Sequence, residues 1–410
     1  MRPLRAAAVI AVCALLTLVG GTSVTSAAAA PPAGTFTKHT FAIGGVARDY
    51  WVYVPSTPAS EPRPLVVYLH GCNQRVEHDA APGTRWNALA ERRGFVVAYP
   101  EQRINPQSNG LGDGNGIGCW NWFLPDHQNR NAGEPALIAG ITRQVVADQG
   151  LDPSRVYVAG VSAGADMTAI LGATYPDVYA AIAPFAGCAY LTCADVSGTA
   201  AFAAMGPRAR VVPAMVVQGT VDALNNFGMG ETLVSQQLGT NDLADDGLRN
   251  SSVPLTPTST EHVGFDATLA DNLGTIGDTC VRSRQFPCAG ALAGLESYPY
   301  SIERHADTAG CSVVDFWIVH GLGHDYPYGD PNPDANGVPR ATFIDQIGPD
   351  ITTASYDFFT KHRLGAPPCG GAPAPVVPES PVAIAVPLLA LALVGGVAVR
   401  RRASQVSASA

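Results

Sequence analysis

The chain has 410 residues, 47% of them hydrophobic and 14% charged, with a formal net charge of −9 and a pI near 5.4. That much apolar material can bury a sizeable core, and the roughly 330 central residues suit one domain. The acidic balance gives no reason to expect nucleic acid or an anionic membrane surface as partner.

In chain order, Met1-Arg-Pro-Leu-Arg5 is a charged start, Ala6 to Gly20 is apolar, and Ser26-Ala-Ala-Ala-Ala30 offers small residues for cleavage. This is the layout of an export signal over residues 1–30, with the mature chain starting near Pro31. The pattern then predicts a strand hairpin over about 36–54, an apolar strand over 64–70, a helix over 83–93 and a strand over 94–99. A long loop to 133, a helix over 134–149 and a strand from Val156 follow.

That last strand ends in Gly160-Val-Ser162-Ala-Gly164 and passes straight into a helix-forming run. A serine between glycines at a strand-to-helix turn is the arrangement of a nucleophile elbow. Small neighbours let the backbone turn sharply, which pushes the hydroxyl out of the sheet. Ser162 is therefore the candidate nucleophile, and the backbone N–H of Ala163 points at a developing oxyanion.

In such sites the acid follows the serine and the base comes last. A strand over 179–184 precedes Val211–Gln218, an apolar strand that stops at Gly219-Thr-Val-Asp222. Asp222, just past a strand's C-terminal end, is the candidate orienter; Asp195, Asp242, Asp245 and Asp246 fall in polar stretches and read as solvated surface. A helix over 229–239 comes next. Ser312–His320 is a further strand, followed by Gly321-Leu-Gly-His324. His324, in a glycine-bracketed loop, is the candidate base, and His320, at the strand's end, reads as a supporting residue. The glycines also argue against a helical zinc pair made of these two histidines. The second oxyanion donor comes from the loop after the strand at 64–70, where Gly71-Cys72-Asn73-Gln74 offers the Cys72 N–H. Alternating strands and helices predict a mostly parallel sheet covered on both faces, closed by a helix over 352–362 capped by Asp350 or Thr352.

Asp330 to Gly337 spaces oxygen ligands as calcium loops do but lacks the terminal glutamate, and reads as an ordinary loop, so no metal is expected. A Pro/Ala-rich linker over 370–381 leads to eighteen apolar residues, 382–399, and then Arg400-Arg-Arg402 in the tail 400–410. This fits a membrane span with a cytoplasmic C-terminus, or a sorting signal cut during surface processing.

Several motifs in register carry a resemblance. Leu69-His-Gly-Cys-Asn-Gln74, Gly94-Phe-Val-Val-Ala-Tyr-Pro-Glu-Gln102, Cys119-Trp-Asn-Trp-Phe123, Gly133-Glu-Pro135 and Gly160-Val-Ser-Ala-Gly164 resemble the polyhydroxybutyrate depolymerase-like esterases. That group shades into secreted feruloyl and acetylxylan esterases. The resemblance spans roughly residues 36–363 and implies an α/β-hydrolase fold with Ser162, Asp222 and His324 as its triad and no cofactor. The chain departs from the family at Gly187-Cys-Ala-Tyr190-Leu-Thr-Cys193, at Gln218, where the family often has histidine, and at Asp325-Tyr326 after the base. Residues 241–278 look like an insertion in the domain 31–369.

With Cys13 in the signal segment, eight cysteines remain in an exported chain, an even number that reads as disulfides. Cys72 with Cys119 is the first expected pair, pinning the oxyanion loop to the cleft wall; Cys280 with Cys311 and Cys188 with Cys193 follow. Because the resemblance places its segment by the active site, Trp120 is expected to contact substrate. The expected protein is a secreted or surface-tethered monomer that hydrolyses hydroxyalkanoate polyesters or their oligomers through an acyl-enzyme. Feruloyl or acetylxylan ester hydrolysis is the alternative; a peptidase on the same fold and a non-catalytic surface protein stand behind it.

Overall fold

The computed structural model describes residues 34–108, 114–264, 297–328, 343–345, 348–367 and 369. The expected signal segment, the linker, the apolar stretch 382–399, the basic tail and the Asp330–Gly337 loop lie outside the described residues. Among the described residues, no helix is long and apolar enough to cross a membrane.

An antiparallel hairpin, β1 (Thr35–Ile43) and β2 (Val46–Val54), opens the fold. The strands β3 (Leu65–Leu69), β4 (Val96–Pro100), β5 (Val156–Val161), β6 (Ala181–Phe185) and β7 (Ala214–Gly219) are buried along their whole lengths. Near-continuous apolar runs of this kind suit a parallel sheet covered on both faces. Three more strands, β8 (Ser259–Val263), β9 (Tyr300–Ala306) and β10 (Ser312–Val319), complete a ten-stranded sheet ordered β1-β2-β4-β3-β5-β6-β7-β10-β9-β8. The six strands from β4 to β10 in that order run parallel, and antiparallel pairs flank them at both edges.

The helices are α1 (Ala81–Thr84), α2 (Trp86–Arg93), α3 (Gly133–Gln149), α4 (Ala163–Thr174), α5 (Thr199–Met205), α6 (Phe227–Asp246) and α7 (Ile351–Phe359). Strand alternation divides the core between the two faces. Val66, Tyr68, Val97 and Tyr99 pack with α2 and α7, whereas Leu65, Val67, Leu69 and Ala98 pack with α3 and α4. On the first face Phe95 stacks on Tyr356 at 4.0 Å and Tyr157 on Phe359 at 4.8 Å, fixing α7 against the sheet. Asp350 caps α7 by accepting from the Thr353 N–H at 3.0 Å. Thr352 lies inside that helix and bonds Thr84 O and Tyr326 instead.

The described part of 241–278, the stretch read as an insertion, is the last turns of α6, a loop and the edge strand β8, which extends the sheet. One expectation changes. Cys311 is bonded to Cys369, with Cα atoms 5.6 Å apart, and not to Cys280, which lies outside the described residues. After α7 the chain turns back to the start of the parallel strands: Leu364 donates to Ser154 O, and Tyr157 donates to His362 O. That return delivers Cys369 to Cys311 at the head of β10.

Candidate active site

Ser162 occupies the turn between β5 and α4 at φ 56°, ψ −125°, and its N–H bonds Phe185 O at the end of β6. Positive φ is costly for a residue with a side chain and persists where surroundings impose it. Here close packing of the elbow imposes it, and the glycines permit that packing. A Cβ on Gly164 would lie 2.1 Å from Leu69 O, and one on Gly160 would lie 2.4 Å from Gly164 O. The elbow can pack this tightly against β3 only without those methyl groups.

His324 reaches the serine from the loop after β10. Its Nε2 is 2.8 Å from Ser162 Oγ, and its Nδ1 is 2.8 Å from Asp222 Oδ2. With Nδ1–H donated to the carboxylate, Nε2 is left as the acceptor for the serine proton. The Phe343 ring meets the imidazole edge-on with centroids 5.9 Å apart, a support invisible in the sequence because it comes from a distant loop. Asp222 is buried, and its Oδ1 accepts from the Leu224 and Asn225 amides at 2.9 Å each. Gln218, one of the departures from the family, donates to Asp222 Oδ2 at 3.2 Å and to Asn225 O at 2.7 Å. His320 stands apart, 3.0 Å from Ser301 Oγ, which also meets His262 at 2.9 Å.

The loop after β3 lies against the nucleophile: a Cβ on Gly71 would sit 3.4 Å from Ser162 Cβ. The amides flanking Cys72 are engaged, Gly71 N–H with Gln74 Oε1 at 2.8 Å and Asn73 N–H with Ile117 O at 2.9 Å. Ala163 is the first residue of α4, where backbone N–H groups lack intrahelical partners. The Cys72–Cys119 disulfide, with Cα atoms 4.1 Å apart, fastens this loop, and Cys188 is bonded to Cys193.

Trp120 is not placed to touch substrate. It is 0% exposed, and its indole N–H donates to His70 O at 3.0 Å, so it braces the loop from below. The neighbouring Trp122 and Phe123 reach the surface instead, Trp122 half-buried and Phe123 45% exposed. Burial holds the His70 ring neutral by pushing its pKa down to about 4. Its Nδ1 meets Gly71 O at 2.7 Å and its Nε2 accepts from the Gln102 N–H at 3.0 Å.

Asp166, in the first turn of α4, is buried with its Oδ1 accepting from Cys188 N–H at 2.8 Å. Burial raises its pKa from 3.8 to about 8, so the carboxyl keeps its proton at neutral pH. Between those two values only the unfolded chain releases the proton, so this group's contribution to stability declines as pH rises from about 4 to about 8. His70 and His362, lowered by burial to about 4 and about 3, act with the opposite sign below their ordinary value of 6.5. Comparison with Asp166→Asn isolates the acid. The unfolding midpoint of the variant should gain on wild type from pH 5 to pH 8, and parallel profiles would refute the buried protonated acid.

A family model described as Esterase PHB depolymerase matches residues 48–249. The chain is 34% identical over 286 residues to poly(3-hydroxyalkanoate) depolymerase C of Paucimonas lemoignei, covering 69% of this chain and 59% of that one. It is 33% identical over 157 residues to feruloyl esterase B of Neurospora crassa, covering 37% of this chain and 48% of the relative. It thus spans about half to three-fifths of the length of these two curated relatives. The acetyl xylan esterase from Aspergillus awamori shares the fold, with a TM-score of 0.50 at 21% identity over 71% of this chain and 94% of that one.

Proposed function

Through residues 48–249 this chain belongs to the esterase PHB depolymerase family, and from that premise we propose that it is a serine carboxylic-ester hydrolase acting on hydroxyalkanoate polyesters or their oligomers. The observation that carries the reading is the Asp222–His324–Ser162 chain of contacts, both 2.8 Å, ending on a hydroxyl at a strained elbow.

Ser162 Oγ attacks the ester carbonyl while His324 Nε2 takes its proton. Asp222 holds the ring's orientation and stabilises the imidazolium that forms. The N–H groups of Cys72 and Ala163 receive the oxyanion, each such donor being worth about 10²–10³ in rate. The alcohol leaves with the proton from His324. Water, deprotonated by the same ring, then splits the acyl-enzyme and frees the acid. Proton transfer runs through the Ser162–His324–Asp222 contacts already made in the fold, and no step calls for a metal or cofactor.

A second reading, feruloyl or acetylxylan ester hydrolysis, is favoured by the relatives of this chain that are a feruloyl esterase and acetylxylan esterases. The disulfides among the described residues favour an oxidising compartment, so the enzyme acts outside the cell, tethered through 382–399 if that segment is retained. A hydrolysis panel tests the substrate. Purified protein is given 3-hydroxybutyrate oligomers, the solid polymer, methyl ferulate, acetylated xylan and p-nitrophenyl acetate. Preference for the hydroxybutyrate esters is the expected result. Preference for ferulate or acetylxylan would move the protein to the second reading, and silence on every ester would overturn both.

A further inference from the structure

Leu191 goes against two local preferences at once. It is apolar, 45% exposed, and held at φ +60°, a left-handed conformation that asparagine or glycine adopts far more readily. Thr192 and Cys193 share that conformation at φ +56° and +66°. Runs of such residues persist only where the surroundings hold them, and they gather at working sites. Here the Cys188–Cys193 disulfide closes the turn, and Asp166 anchors its base through the Cys188 amide at 2.8 Å.

Gln128, itself buried, supplies the rest. Its backbone oxygen accepts from Tyr190 OH at 2.6 Å, its Oε1 accepts from the Leu191 N–H at 3.2 Å, and its Nε2 donates to Trp122 O. One glutamine therefore fixes both the Leu191 turn and the segment bearing Trp122 and Phe123. Those two rings meet edge-on at 5.7 Å, with Phe123 45% exposed. Both segments are tied to the elements that carry the site. The turn follows directly from Phe185, whose oxygen holds the Ser162 N–H at 3.0 Å. The aromatic segment follows Trp120, which grips the oxyanion loop at His70 O.

We propose that Leu191, Trp122 and Phe123 form an apolar lip that seats the apolar chain or ring carried beside the scissile ester. This rests on the ester-hydrolase reading and adds which part of the substrate the chain selects. The stapled turn lies where the sequence departs from the family pattern, so Leu191 is the part of the lip peculiar to this chain, whereas Trp122 and Phe123 belong to a family-like segment. The cost of holding a leucine in a left-handed, solvent-facing position is explained by what that leucine touches during turnover.

The test uses the full chain, with wild type, Leu191→Asn and Phe123→Ser compared on p-nitrophenyl octanoate and p-nitrophenyl acetate beside a thermal unfolding scan. The expected result for Leu191→Asn is an octanoate-over-acetate preference in kcat/KM about tenfold lower, chiefly through KM, with an unfolding midpoint equal to or above wild type. Phe123→Ser, where no strained backbone is involved, should shift the preference in the same direction. An unchanged preference in both variants, with or without an altered oligomeric state in sedimentation, would overturn the lip. Equal loss on both esters with a lowered midpoint would overturn it too, by making Leu191 structural. A wild type silent on both esters would overturn the hydrolase reading and the lip together.

Discussion

Replacing Ser162 by alanine is expected to lower kcat on an activated ester by on the order of 10⁶ and to leave the circular dichroism spectrum and unfolding midpoint close to wild type. The hydroxyl makes the attack, but the elbow does not depend on it. The turn is held by the Ser162 N–H on Phe185 O and by close packing at Gly160 and Gly164, all of which the variant keeps. Asp222→Asn should cost about 10⁴, because an amide cannot hold the imidazole in the tautomer that leaves Nε2 open to the serine. Its Oδ1 contacts with the Leu224 and Asn225 amides would survive, so the loss is chemical and not a collapse of the loop. Hydrolysis that persisted in Ser162→Ala would remove this serine from the mechanism.

The second large effect lies beneath the site. Glu134→Ala should destabilise the domain by about 3–5 kcal/mol, because removing one partner of a buried charged network strands the others. Glu134 is buried and takes hydrogen bonds from the Asn121 amide at 2.7 Å, from Asn121 Nδ2 at 2.9 Å and from Gln102, with the Arg48 guanidinium 3.8 Å away. Gln102 in turn holds the His70 ring and Cys119 O. The loss should therefore appear twice in the same variant: as an unfolding midpoint lower by on the order of 10 °C, and as a fall in kcat from a loosened oxyanion loop. A variant with wild-type stability would show that the network is dispensable.

The elbow was legible in the sequence because its demand falls on residue type: a Cβ at Gly160 or Gly164 would lie within 2.4 Å of a backbone oxygen, so both positions must be glycine, and that requirement is written in the residues themselves. The parallel strands were legible for a similar reason, since strands buried on both faces are apolar throughout. Strand β8 was not. Its Ser-Thr-Glu-His-Val sequence is almost wholly exposed at the sheet edge and offers no apolar alternation to read. Trp120 shows a different limit. A tryptophan that lines a cleft and one that braces it from below are the same letter, and only burial separates them. Gln128, Phe343 and the Cys311–Cys369 bond share a cause: each joins segments far apart in the chain, so no spacing announces them.

The Cys311–Cys369 bond has a mechanical meaning. The loop it closes, with a sequence separation of 58, contains all of β10, the His324 loop and α7. Closing a ring of that size restricts the unfolded chain by about 4 kcal/mol in the loop-entropy picture. Tension applied from beyond residue 369 would enter the fold at this bond and pass to the head of β10 without peeling α7 away. The histidine that must stay within 2.8 Å of its serine is thereby insulated from whatever pulls on the tail. A catalyst working at the end of a tether, against a surface that drags on it, would keep its register because the load path bypasses the chemistry.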